Sequence, residues 1–386
     1  MNESKVEEPA ACGGTPNEEA TTECCGGTEL MAATQSCAAQ PARWVDGSVG
    51  ASIGDVPRVA TALSWVDHAG TCAARLGIGR AHYRVEPGLY AVGKPAHDAP
   101  VFVTANYKLS FDCLRSHLAD IDGWILVLDT RGVNVWCAAG KGTFGTDEIS
   151  RRVEATHLKE VVSHRRLILP QLGAPGVSAH EVARQVGFSV TYGPVRARDI
   201  PAFLRAGMKA TAKMRRVTFS SLDRMILIPV EFTMGVKHAL LIALCFVALA
   251  GFGPGIYAID RAVSVGLRSA GLFLALAAAG IVLTPALLPW LPGRAFAAKG
   301  AWVGAALAGT MWAWAWARPE VFENRWSLAG WSLLAISLAS FVGMNFTGSS
   351  TYTSLSGVRR EMRLAVPLQA ICAVLGAGLW FAARFV

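Results

Sequence analysis

The chain has 386 residues, of which 52% are hydrophobic and only 17% charged, and its mean hydropathy is +0.36. That balance argues against a wholly soluble protein, and the length suits one soluble domain joined to a membrane domain. The net charge of +8 does not point to nucleic acid, because no recognition motif accompanies it and the basic residues crowd elsewhere.

Residues 1–41 combine Gly, Thr and Ala with seven Glu against one Lys, and have almost no large apolar side chains. Such a segment cannot offset its ordering entropy by burial, so a disordered tail is expected. It lacks the apolar core of a signal peptide, and the N-terminus is expected in the cytoplasm. Four of the nine cysteines lie here (Cys12, Cys24, Cys25, Cys37). Their spacing supports no defined metal or cluster site, and the vicinal pair Cys24-Cys25 reads as exposed thiols or as a soft-metal ligand.

Residues 42–205 alternate short apolar runs with helical spacing. Val101–Thr104, Trp124–Leu128, Leu167–Leu169 and Phe188–Val190 read as buried strands. Phe111, Leu114, Leu118 and Ile121 line one helix face, as do Ile149, Val153 and His157 with Leu158. Cys113 is expected in the core on its helix. The pattern predicts an α/β, Rossmann-like domain with a largely parallel, doubly wound sheet, whose ligand would sit at the C-terminal strand ends. The loop Asp129–Asn134 leaves such a strand and runs straight into Val135-Trp136-Cys137.

Residues 206–237 form a basic linker, in which Lys209, Lys213, Arg215, Arg216, Arg224 and Lys237 set topology and meet anionic lipid headgroups. Beyond it, an all-α domain over 238–386 is expected to cross the membrane five times, at about 238–259, 269–293, 300–317, 326–346 and 364–383, each near the ~20 residues a span needs. Trp290, Trp302, Trp316, Trp326 and Trp380 are placed as interfacial anchors. The Lys/Arg excess flanks the first, third and fifth spans on one side, which puts the soluble domain in the cytoplasm and the C-terminus outside. Without ionisable groups in mid-span, an anchor or docking scaffold is favoured over a transporter.

Cys137 is followed by Ala138-Ala139-Gly140-Lys141-Gly142. Small residues there let a large planar ligand approach the backbone. A helix beginning within Gly140–Thr146 would bring free N–H groups near the thiol. Asn134 would hydrogen-bond the thiolate or fix the turn. Trp136 suits core packing or ligand contact, and Thr104 a ligand edge or a strand end. On these grounds alone a buried structural cysteine is the usual reading of Cys137.

The stretch Gly132–Phe144 (GVNVWCAAGKGTF) resembles the cap-helix motif of the HgcA family, the membrane-anchored corrinoid proteins of microbial mercury methylation. A similar motif occurs in the large subunit of the corrinoid iron–sulfur protein. Val103–Leu109, Leu169–Ala174, Tyr192–Ala197, Asp199–Pro201 and Asn345–Ser354 also resemble the family. The resemblance implies a cobalamin-type corrinoid held by Thr104, Asn134, Val135, Trp136, Cys137, Ala138, Ala139, Gly140, Lys141, Tyr192 and Gly193, with Cys137 as the lower axial cobalt ligand. It implies methyl transfer from a methylcobalt(III) cofactor to Hg(II), giving methylmercury. It further implies a ferredoxin-like electron donor with two four-iron, four-sulfur clusters (HgcB) and a methyltetrahydrofolate-linked methyltransferase. A corrinoid methyl carrier of acetyl-CoA-type one-carbon metabolism is the alternative, and a membrane-anchored binding module without a cofactor is the second.

Overall fold

The computed structural model describes residues 42–346 and 355–386. The tail with Cys24-Cys25, and all but the start of the Asn345–Ser354 block, lie outside the described residues.

The soluble part contains β1 (Val45–Ala51), β2 (Gly54–Val59), β3 (Gly88–Val92), β4 (Val101–Ala105), β5 (Gly123–Leu128), β6 (Arg166–Leu169) and β7 (Ser189–Tyr192). Its helices are α1 (Trp65–Arg75), α2 (Lys108–Arg115), α3 (Val135–Lys141), α4 (Thr146–Ala155), α5 (Leu158–Val161), α6 (Ala179–Val186) and α7 (Ile200–Arg205). The strands form one sheet in the order β1-β2-β3-β5-β4-β6-β7. From β5 through β4 and β6 to β7 the pairing is parallel, as the alternating pattern predicts. The other end departs from that expectation: β3 runs antiparallel to β5, and β1–β2 is an antiparallel hairpin at the edge. The sheet is therefore mixed. The hairpin carries only a sparse, half-buried apolar set in VDGSVGA and GDVPRV, too weak a pattern to announce itself.

Every residue of β4 and β5 is buried, which is why both read as continuous apolar runs. Alternate residues serve opposite faces. Val101, Val103, Leu126, Leu128, Leu167 and Leu169 pack with residues of α3 to α6, whereas Phe102, Ile125, Val127 and Ile168 pack with residues of α2 and α7.

α2 is fixed to α1 by a buried ionic cluster. Lys108 Nζ donates to Asp67 Oδ1 at 2.8 Å and to both Asp112 oxygens at 2.6 Å. Arg115 Nε donates to Asp112 Oδ1 at 2.7 Å, and its Nη2 lies 3.0 Å from Asp67 Oδ2. Asp67 also closes a capping box with Ser64 at the start of α1. Burial works to raise the Asp67 carboxyl, but the bonds from Lys108 and Ser64 outweigh it and hold the carboxyl well below the usual carboxylate range.

The C-terminal half contains α8 (Ser221–Met225), α9 (Ile228–Ala250), α10 (Ile259–Leu287), α11 (Phe296–Ala317), α12 (Arg325–Phe346) and α13 (Leu355–Ala382). Among the described residues four helical segments are long and apolar enough to cross a membrane: Ser221–Ala250, Ile259–Leu287, Arg325–Phe346 and Gly357–Ala382. The five-span expectation is reduced to four on this criterion. α11 has the length, but Lys299, three glycines and four tryptophans dilute its aliphatic content. The first long helix also starts earlier than expected, at Ile228, inside the stretch read as a basic linker.

α11 and α12 approach closely because Gly300 and Gly304 face the backbone of Ala335, Ile336 and Ala339, where a Cβ would collide. Arg224 is buried, and its Nε donates to Pro285 O at 2.7 Å. That carbonyl lacks its helical partner because residue 289 is a proline without an N–H. Trp290, Trp302, Trp316 and Trp326 are exposed, as interfacial anchors would be. Trp380 is instead buried, its indole N–H donating to Ser269 Oγ at 3.2 Å, and so packs the bundle.

Asp112→Ala would leave the buried Lys108 and Arg115 to share the single carboxylate of Asp67, and local unfolding of α1 and α2, measured by hydrogen exchange, is expected to become easier by about 3 kcal/mol. Because the native Asp67 carboxyl is depressed, its stabilisation is present above ~4, the unfolded aspartate value, and is lost as pH falls towards the lower native value. Protection of α1 should therefore hold at neutral pH and decline in acid, and Asp67→Asn should flatten that decline.

Candidate functional site

The parallel strands β4, β6 and β7 end on one edge of the sheet, and a cavity of about 590 Å³ opens there. Thr104 and Leu169-Pro170 come from strand ends, and Gly193-Pro194 from just beyond β7. Leu109, Ser110 and Cys113 come from α2, and Asn134 to Cys137 from the start of α3. Ile226, Leu227 and Val230, at the entry to the first long helix, complete the wall, and Arg75 and Arg80 contribute charge. The Arg80 guanidinium lies 5.8 Å from the centre of the Tyr107 ring. The size and the mainly apolar lining with a few polar groups suit an organic ligand.

Cys137 is placed by its neighbours at both ends of α3. The buried Asn106, just after β4, has its Oδ1 accept from Thr130 N at 3.1 Å, Thr130 Oγ1 at 2.9 Å and Gly132 N at 2.9 Å. Gly132, with φ +72°, turns the chain close to Ala81 O. Asn134 then caps α3, its Oδ1 accepting from Cys137 N at 2.9 Å. The Asn134 side chain thus fixes the backbone turn. Gly142, with φ +79°, ends the helix. Cys137 therefore lies in the first turn of its own helix, and the helix start expected within Gly140–Thr146 is that of a second helix, α4, which opens at Thr146 after the stop at Gly142. Beneath α3 the segment Gln171–Gly176 comes so close that a Cβ on Gly176 would strike Phe144 O and Ala139 Cα, and one on Gly173 the Phe144 ring.

Of the expected ligand-holding residues, Thr104, Asn134, Val135, Trp136, Cys137 and Gly193 line the cavity together. Five do not. Ala138 and Ala139 are buried against the sheet, and Gly140 and Lys141 stand on the exposed end of α3. Tyr192 packs on the core, its hydroxyl donating to Val177 O at 2.9 Å and its phenol pushed up by burial. Cys113, expected in the core, is exposed into the cavity instead. The cavity walls desolvate it and push its thiol up, with Arg75 opposing and Asp112 adding to the rise. Arg75, Arg80 and Cys113 carried no motif-level signal, whereas the positioning residue Asn106 lies within the Val103–Leu109 block, which assigned it no role. Among the described residues no three His, Cys, Asp or Glu side chains gather to hold a metal ion. A metal bound beside Cys137 would have to bring its remaining ligands with it, as one in a macrocycle does.

Replacing Asn106 by Ala removes one acceptor from three donors at once. Amide exchange across 129–142 is expected to become easier by about 1–3 kcal/mol while β5 and β6 keep their protection.

Residues 79–204 match the family of the CO dehydrogenase/acetyl-CoA synthase delta subunit (CdhD). The acetyl-CoA decarbonylase/synthase complex subunit gamma of Methanopyrus kandleri is 36% identical over 122 residues, 31% of this chain and 26% of that protein. The same subunit of Archaeoglobus fulgidus is 36% identical over 127 residues, 32% of this chain and 27% of that protein. The corrinoid/iron-sulfur protein large subunit of Moorella thermoacetica is 31% identical over 127 residues, covering 32% and 28%. The chain thus spans about a quarter of the length of these relatives. The shared stretch holds most of the cavity wall, including Thr104, Cys113, Cys137 and Gly193. Residues 79–204 are a CdhD family domain, homologous to the corrinoid/iron-sulfur protein large subunit and the decarbonylase/synthase gamma subunit, the group to which HgcA is related.

Proposed function

We propose that this chain is a membrane-anchored corrinoid protein that transfers a methyl group to Hg(II), giving methylmercury, with Cys137 as the lower axial ligand to cobalt. The observation that carries the reading is a thiol in the first turn of α3, lining an apolar cavity at the strand ends of a CdhD family domain, where among the described residues no three His, Cys, Asp or Glu side chains gather to hold a metal ion.

The residues present fit a corrinoid. Val135, Trp136, Leu169 and Leu172 offer apolar walls, Gly193 lines the cavity with backbone alone while its Cβ side faces Ile168 and Phe203, and Thr104, Ser110, Arg75 and Arg80 can meet polar substituents. Ala138 and Ala139 act from below by seating α3 on the sheet. When bound, the corrinoid supplies a cobalt-borne methyl group able to leave towards a soft acceptor. Cys137 would offer the cobalt a soft sulfur donor, Asn134 and Asn106 would hold its helix still, and the apolar walls would keep water from competing.

The mercury reading rests on the cap motif joined to a long helical C-terminal half, an arrangement resembling the HgcA family. In this reading the N-terminal domain faces the cytoplasm, the C-terminus is external, α11 serves as a fifth span, and anionic lipid meets the basic belt. HgcB supplies electrons and a methyltetrahydrofolate-linked methyltransferase supplies the methyl group. The names of the relatives favour a second reading, a corrinoid methyl carrier of one-carbon metabolism, which would use the same cavity.

Full-length protein reconstituted with cobalamin is expected to show a thiolate-ligated visible spectrum that Cys137→Ala abolishes; an unchanged spectrum in the variant would sink the ligand assignment. Deleting the gene in a strain with no second copy is expected to stop methylmercury formation. Persistent formation would leave the one-carbon reading.

A further inference from the structure

Two of the five described free cysteines, Cys113 and Cys137, line the cavity. They reach it from opposite faces of the sheet: α2 contributes Phe111 and Leu114 to one core, and α3 contributes Ala138 and Ala139 to the other. Both helices are held independently. The ionic cluster of Lys108, Asp112 and Arg115 fixes the far side of α2, and His117 Nδ1 lies 2.7 Å from Cys113 O at its C-terminal end. Asn106 and Gly176 fix α3. A ligand lying over the strand ends therefore has one fixed thiol on each side. Cys137 is used by the cap, but nothing in that role employs Cys113, a free cysteine exposed on the cavity wall.

We propose that Cys113 is the acceptor-holding thiol, taking a thiophilic divalent metal, Hg(II), by ligand exchange on the side of the cavity opposite Cys137. This rests on the corrinoid reading of the cavity. Hg(II) would arrive as a dithiolate. The Cys113 Sγ–Hg bond forms as one Hg–S bond to a carrier thiolate breaks, and the Cys113 proton passes to the departing thiolate. No electron changes hands. Desolvation pushes the Cys113 thiol up, so its proton leaves only as the sulfur–metal bond forms. Ser110 and Leu109 flank the thiol, and Arg75 can attract the carboxylates of a small carrier thiol.

The test uses the full chain in detergent, loaded with corrinoid and given Hg(II) as its bis-glutathione complex. Alkylation by N-ethylmaleimide is read cysteine by cysteine by mass spectrometry. Hg(II) should protect Cys113 at concentrations that leave Cys72, exposed and away from the cavity, reactive. Cys113→Ala should slow single-turnover transfer to Hg(II) by roughly tenfold or more, the loss expected when an acceptor is no longer positioned, while the Cys137-dependent spectrum stays unchanged. Equal reactivity of Cys113 and Cys72, or transfer at the wild-type rate in Cys113→Ala with that spectrum intact, overturns the proposal. So does a Cys113 already shielded by corrinoid alone. A wild-type spectrum that does not depend on Cys137 overturns the corrinoid reading, and this inference with it.

Discussion

A seven-residue helix has little stability of its own in water, because the cost of nucleating it exceeds what so few hydrogen bonds return. The position of Cys137 therefore depends on what holds α3 at its two ends. At the start, one buried carboxamide, Asn106, accepts from Thr130 twice and from Gly132 once, tying the end of β4 to the loop that leaves β5. At the other end, Gly142 stops the helix and Gly173 with Gly176 lets the segment after β6 press against its underside. Three parallel strands thus converge on one short helix. A thiol held in this way can sit still beside a large ligand without help from a longer helix.

The same edge of the sheet joins the soluble domain to the membrane half. α2 and α3 approach the cavity from opposite faces, and Ile226, Leu227 and Val230 complete its wall. These residues belong to the entry of the first long helix, so the cavity is shaped partly by a segment long and apolar enough to cross a membrane. Arg224 strengthens that junction by satisfying the Pro285 carbonyl that Pro289 cannot reach. The helical half thus does more than follow the α/β domain, since it closes one side of the cavity. In the proposed reading the helical half and the corrinoid site form one design.

Much of this was legible in the residues, and the exceptions have physical causes. β4 and β5 are buried on both faces and read as unbroken apolar runs, whereas β1 and β2 alternate with glycine and charge on an exposed edge. Cys113 lies two residues from Phe111, about 200° around a helix, so Phe111 and Leu114 can face the core while the thiol faces elsewhere. Ala138 and Ala139 were read with the motif as ligand contacts, but a helix that presents Cys137 to a cavity must turn neighbouring positions to the sheet. Trp380 shows the same limit: proximity to a helix end suggested an anchor, and only tertiary packing reveals its bond to Ser269. The clamp by Asn106 joins residues more than twenty positions apart and leaves no local pattern.

The central claim is a sulfur–cobalt bond through Cys137. Cobalt K-edge X-ray absorption on the corrinoid-loaded full chain tests it most directly. The account predicts a sulfur scatterer in the cobalt coordination shell of the wild type that disappears in Cys137→Ala. A shell of nitrogen and oxygen alone in the wild type, or a sulfur scatterer that survives the substitution, would contradict it.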